Sequence, residues 1–347
     1  MPEPQKVLYA AGLLAKNEST YGGGGTLSTA TDGVQLALDG GRALPLAYEE
    51  VFDGVRAYDL AARSPLPILA PGARFLNGVE LPTQWKGAGS AYSASVVPNL
   101  HALMKASGLE AAVTTTPGAE KWTYTPWAGG TPASLVAALY GHEEKWTATH
   151  GFTAWSFRLR ANEAPRDLFK LWGLISAIAD DANGAEAITI TYPNLSLEPP
   201  TNTSVTIGSF TTPEVREVEF ELGWEDPTPR QNITGSQGFA GWARGVRFAP
   251  RLRITLEATA LVGGSGTSSS GVDHHLLRSA ATKLTGGTVK VQRGSSQYNR
   301  LSVTFTQAQL MAPPRLGNEG SIATVTLEFG AYASTPVAND AVTIVAD

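Results

Sequence analysis

The sequence contains no cysteine, which excludes disulfide staples and thiolate metal sites alike. Charge is also scarce. Only 16% of the residues are charged, and 26 basic against 31 acidic side chains leave a net charge of −5. That balance supplies no electrostatic grip for nucleic acid. So little charge fits a surface largely consumed by contacts between subunits. No apolar run approaches a membrane span. Val7 to Ala15, after Lys6, is the nearest approach to a signal h-region, but its flanks, Pro2-Glu-Pro4 and Lys16-Asn-Glu18, lack a basic cluster and a small-residue cleavage site. The expectation is an N-terminal arm over residues 1–33. What is abundant is turn-forming residues: 37 glycines and 22 prolines without a low-complexity tract, the composition of a turn-rich β protein. At 347 residues the chain holds about two domains, each large enough for a core of its own.

A pattern occurs twice, roughly 175 residues apart. A period-2 segment runs into a small-residue linker, and a short amphipathic helix follows. The first copy has Gly87-Ala-Gly-Ser90 and then Pro98 to Gly108, with Leu100, Leu103 and Met104 on one helical face. The second has Gly263-Gly-Ser-Gly266 and then Asp273 to Gly286, with Leu276, Leu277, Ala280, Ala281 and Leu284 as the stripe. Before each linker stands a long loop, Glu49 to Asn77 and Gly223 to Gly245, with strand-like sequence on both sides. The expected fold is mainly β (α+β), with a first domain over 34–180 and a second over 181–347. One short helix flanks each sheet. Asp167 to Ser176 fits either a helix or a strand, and strand is preferred because Ile322 to Phe329, at the same place in the second copy, alternates clearly. Loops this long tend to carry a function, so Pro65, Pro67, Pro71, Pro227 and Pro229 mark candidate contacts between subunits.

Catalytic motifs do not accumulate. Asp273-His-His275 resembles a metal phosphoesterase signature, but the clustered aspartates of that chemistry are missing and Asp273 suits a helix N-cap. His142-Glu-Glu144 lacks the second histidine of a zinc protease, and Gly263 to Gly266 lacks the Lys-Ser/Thr of a phosphate cradle. No metal or cofactor is expected. Arg244, Arg247, Arg251 and Arg253 form the densest basic stretch. Nucleic-acid binding would want aromatics interleaved in a basic domain. The preferred reading sets Arg251 and Arg253 across a strand pair from Glu217, Glu219 and Glu221.

The opening Leu14-Ala-Lys-Asn-Glu-Ser-Thr-Tyr-Gly22, the Gly-x-Gly-Ser linker before a helix, the strand Trp122-Thr-Tyr-Thr-Pro126 and the closing Asp340-Ala-Val-Thr-Ile344 together resemble the tail tube (major tail) proteins of long-tailed, non-contractile bacteriophages. The resemblance implies tandem β-sandwich or barrel tube domains, each with a flanking helix and a loop reaching toward the neighbouring subunit. It implies a virion protein, made in the host cytoplasm, whose rings stack into a conduit for DNA ejection. Its partners would be itself, tape-measure protein and DNA in the lumen without specific binding, and the tail terminator and distal tail proteins, with no membrane. Family rings present six domains, so a chain carrying two would close a ring with three copies. Glu217, Glu219, Glu221 and Glu257 are the candidate lumen-facing residues, since a wall that carries DNA should not hold its phosphates. The alternative is a β-rich glycan-binding or adhesin module using exposed Trp and Tyr as a stacking platform; an enzyme is third.

Overall fold

Alternating apolar and polar residues become antiparallel strands nearly everywhere they occur. The computed structural model describes residues 12–37, 49–50, 53–58, 65–70, 73–141, 144–161, 163–180, 202–208, 214–231, 239–257, 288–312, 314–335 and 338–347. The first half, up to residue 180, contains β1 (Gly12–Asn17), β2 (Gly33–Val34), β3 (Glu49–Glu50), β4 (Asp53–Tyr58), β5 (Pro65–Ala70) and β6 (Arg74–Thr83). The helix α1 (His101–Ala106) follows, then β7 (Leu109–Thr114), β8 (Lys121–Pro126), β9 (Leu135–Tyr140), β10 (Glu144–Arg160) and β11 (Arg166–Asp180). The second half contains β12 (Ser204–Ile207), β13 (Val215–Glu221), β14 (Thr228–Gln231), β15 (Phe239–Ala243), β16 (Arg251–Glu257), β17 (Val289–Arg293) and β18 (Leu301–Phe305). It ends with β19 (Gln307–Leu310), β20 (Arg315–Glu319), β21 (Ile322–Tyr332) and β22 (Val342–Ala346).

Two sheets face each other. The larger has 12 strands along the path β19-β21-β16-β13-β10-β11-β6-β3, with β20 beside β21 and β9, β1 and β2 continuing from the other stretch of β10. The smaller has the order β12-β17-β18-β22-β8-β7. Both cross from one half of the chain to the other: Ser156 to Arg160 of β10 pair with Glu221 to Glu217 of β13, and Ile344 to Ala346 of β22 pair with Tyr124 to Trp122 of β8. The inward side chains of both halves therefore form one buried cluster, in which Phe220 of the larger sheet meets Phe305 of the smaller at 6.2 Å. The two halves thus share one buried cluster. Residues 181–201, which hold the expected boundary, lie outside the described residues, as do the second linker and the second helix.

Several other expectations can be compared directly. Residues 166–180 are a strand, and β1 takes six residues of the expected arm into the larger sheet with Leu13 and Leu14 buried. The first helix is shorter than its pattern. It starts at His101, after a turn in which the His101 amide donates to the Pro98 carbonyl at 3.1 Å, and it buries Leu103 and Met104. It ends at Ala106 with Ser107 as its cap, and Gly108 beyond has a φ of 84°, left-handed backbone that a glycine adopts without penalty. His101 packs its ring 4.6 Å from that of Trp122, and its Nδ1 is 2.8 Å from the Tyr124 hydroxyl.

The two sheets are tied by a buried ion pair. Asp167 of β11 is fully buried and takes both terminal nitrogens of Arg293 from β17, at 2.8 and 3.0 Å. The same carboxylate accepts the Trp85 amide at 2.9 Å and the Trp155 indole at 3.3 Å. All of its acceptor positions face donors, the condition under which a buried charge is tolerated.

Two predictions follow from this packing. Asp167→Ala strands the Arg293 charge and should lower unfolding free energy by about 3–5 kcal/mol, whereas Asp167→Leu combined with Arg293→Met should recover part of that loss; urea midpoints read both. The second concerns acid. Burial, with Lys105 adding to it, lowers the His101 pKa to about 4. A depressed folded-state value means the stabilisation is complete above the unfolded value near 6.5 and is lost as pH falls toward 4. From this group stability at pH 5 should be about 2 kcal/mol below that at pH 7.5, and His101→Gln should flatten that part of the urea-midpoint profile.

Candidate assembly surface

The side of the larger sheet turned away from the core is charged, and its charges are matched strand against strand. In one row Arg158 of β10, Glu219 of β13, Arg253 of β16 and Glu328 of β21 stand opposite one another in register, alternating in sign. Glu219 lies 3.4 Å from Arg158 and 2.9 Å from Arg253. In the next row Glu217 pairs with Arg158 and lies 3.6 Å from Arg160. Arg216 sits in a bulge beside Glu257 at 2.6 Å and reaches Glu319 at 3.8 Å. Glu221 is opposite Arg251, and Lys170 is opposite Glu80. The four candidate glutamates thus share one face, and each has an arginine beside or opposite it. The face is of mixed charge, which is the cross-strand arrangement preferred for Arg251 and Arg253.

Both sheets end in strands with one free side among the described residues. β2, β3, β19 and β20 terminate the larger sheet, and β7 and β12 terminate the smaller. All five residues of β20 are exposed, Leu316 at 80%, with Met311 at 52% and Tyr332 at 41% nearby. An unpaired edge with apolar side chains is a template for further strand pairing unless something covers it.

The two long loops each contain a hairpin. β4 and β5 pair from Asp53 to Ala70; Pro65 and Pro67 belong to β5, and Pro71 lies outside the described residues. β14 and β15 pair with Pro229 opposite Trp242, while Pro227 is buried. This second hairpin rests on the first half of its own chain. The Tyr21 hydroxyl donates to the Trp242 carbonyl at 2.9 Å and accepts the Trp242 amide at 2.6 Å, and the Trp242 ring meets Phe75 edge-on at 5.6 Å. Arg244 donates to the Ala106 carbonyl at the end of α1, at 2.7 Å. Trp242 and Arg244 of this loop thus make contacts between the halves of the chain.

The opening segment that carried part of the resemblance is the joint for this docking. Asn17 donates to the Ala102 carbonyl in α1 at 3.0 Å. Glu18 accepts the Gly22 amide at 2.9 Å, the Gly24 amide at 3.3 Å, the His150 amide at 3.1 Å and the Ser134 hydroxyl at 2.6 Å. Glu18, Ser134 and His150 are the nearest approach to an acid–serine–histidine group. Ser134 donates to the carboxylate rather than to the imidazole, and His150 joins through its backbone, so the arrangement staples a loop and does not activate a nucleophile. Sequence reasoning singled out none of these three as bonded partners; the loop glycines after Glu18 are the only local signal.

Among the described residues no group of three His, Asp or Glu side chains is placed to hold a metal, and no helix is long and apolar enough to cross a membrane. All eight tryptophans are described, and each is buried or half-buried. In comparisons with known proteins, the chain matches no family model and no curated sequence.

The charge ladder yields a prediction. Arg253 and Glu219 are partly exposed, at 49% and 33%, so Glu219→Ala should cost at most about 1 kcal/mol in 50 mM salt. The difference from wild type should shrink in 1 M salt, read as urea midpoints at the two concentrations.

Proposed function

We propose that this chain is the subunit of a hollow protein tube, the tail tube of a long-tailed, non-contractile phage, through which DNA leaves the virion. Copies join edge to edge into rings, three chains to a ring, and rings stack. The observation that carries this reading is the passage of the larger sheet from one half to the other through β10 and β13. The chain is thereby a sheet segment whose free edges belong to opposite halves. Such a segment meets its own kind head to tail, and closure of the ring removes every open edge.

The reading includes two tandem tube domains. Its support is that β3, the β4–β5 hairpin and β6 are repeated in order by β13, the β14–β15 hairpin and β16. The strand ladder that flanks each hairpin ends on Glu opposite Arg, Glu50 with Arg74 and Glu221 with Arg251, with a Trp224–Phe248 bridge beyond the second. The charged face of the larger sheet is the wall that lines the tube. Arginines whose charge is spent on glutamates across the strand pair hold phosphates weakly, so DNA slides. Tape-measure protein occupies the same lumen before ejection, and terminator and distal tail proteins close the two ends. The glycan-binding alternative is less favoured, since every tryptophan is buried or half-buried, although Tyr332 is 41% exposed.

Electron microscopy of the concentrated purified protein tests the proposal. Hollow tubes with threefold rings are expected. Protein that remains monomeric, or that forms only solid aggregates, overturns it.

A further inference from the structure

Three hydrogen-bond donors lie enclosed and unmet where the β14–β15 hairpin closes over the first half. They are the indole Nε1 of Trp127, the indole Nε1 of Trp224 and the guanidinium Nε of Arg244. The two indole rings are 6.4 Å apart, and the guanidinium carbon of Arg244 is 5.5 Å from the Trp224 ring. Gly108 joins the group from the α1 side. Its carbonyl accepts the Trp127 amide at 3.0 Å, and a Cβ placed on it would stand 2.7 Å from Arg244 Nε. The other two guanidinium nitrogens are committed to the carbonyls of Ala106 and Thr153, at 2.7 and 3.3 Å. Among the described residues no carboxylate pairs with this cation, and its burial lowers its pKa to about 9.

The chemistry of the group states what would complete it. An apolar ligand leaves three buried donors unmet, each at a cost of about 1–3 kcal/mol. A water molecule accepts from at most two of the three donors and brings no charge to offset the guanidinium. An oxyanion brings acceptors only, together with the negative charge that the guanidinium lacks. We propose that Trp127, Trp224 and Arg244 form a binding site for a small oxyanion, a carboxylate or a phosphate group. The chain beyond Trp127 and beyond Arg244 soon reaches the surface. Gly129 and Gly130 are exposed with open space around them, and Val246 is 87% exposed. The site does not depend on the tube assignment.

The test uses the full chain labelled with 15N at the tryptophan indoles and titrated with sodium phosphate and, separately, sodium acetate at constant ionic strength. The signals of Trp127 and Trp224, assigned through Trp127→Phe and Trp224→Phe, should move saturably while the other indoles stay. Arg244→Gln should abolish the shifts. Trp127→Phe should weaken binding read at Trp224 by about tenfold, and this comparison decides the matter should Arg244→Gln fail to fold. A response to acetate alone assigns the site to a carboxylate, and a response to phosphate alone to a phosphate group. If neither anion moves the two signals in the folded wild-type chain, the proposal is overturned.

Discussion

A carboxylate sealed between two β-sheets persists only if every acceptor position is met, and the architecture of this chain is arranged around meeting that condition at Asp167. Its four donors come from β10, the segment after β6, and β17, so one side chain sets the spacing of both sheets and of both halves at once. The donor from Trp85 also fixes the start of the linker to α1. That linker is held onto the second half as well: Gly87 donates its amide to the Asn299 side chain at 2.8 Å, and Tyr92 donates to the Tyr298 carbonyl at 3.0 Å. Gly87 is required there, because a Cβ would stand 1.8 Å from the Tyr298 carbonyl oxygen. The first small-residue linker is, in the folded chain, a clamped strap.

Much of this was legible because strand periodicity is a local property. Val218, Phe220 and Leu222 point inward as their alternation requires, and Arg251 and Arg253 stand opposite glutamates. Asp167 and Arg293 were legible in principle. Each lies in phase with buried neighbours, Asp167 with Phe169 and Leu171, and Arg293 with Val289 and Val291. A charge at an inward position calls for a partner of opposite sign. What periodicity could not supply is that the partner lies 126 residues away. The β10–β13 junction was hidden for the same reason, since either strand alone reads as an ordinary edge or centre strand. The hairpins inside the two long loops escaped because proline and glycine obscure their alternation. The role of Tyr21 escaped because a tyrosine after a turn carries no sign of a contact with a carbonyl 221 residues away.

The charged face shows why composition is a poor guide to a surface. A net charge of −5 suggested an acidic wall, yet the glutamates proposed for it are interleaved with arginines at nearly every register position. Opposite charges across adjacent strands stabilise register modestly. They also penalise a slip by one residue, which would send the whole ladder into the core and the aromatic side chains into solvent. The pattern thus serves the precision of strand pairing whatever passes over it.

The position of β22 has a consequence for how the chain is made. It follows every other described strand in sequence, yet it sits third from one end of the smaller sheet, between β18 and β8. A nascent chain emerging from the ribosome can assemble β7 with β8 and β17 with β18, but these two hairpins have no common partner until the final strand arrives. Closure of the smaller sheet therefore waits on residues 342–346, and without them its β7–β8 and β17–β18 hairpins stay unjoined. Contacts this distant in sequence also make for slow closure. For a protein whose free edges invite self-association, a smaller sheet that closes only once β22 has been made keeps the incomplete halves from presenting the finished sandwich.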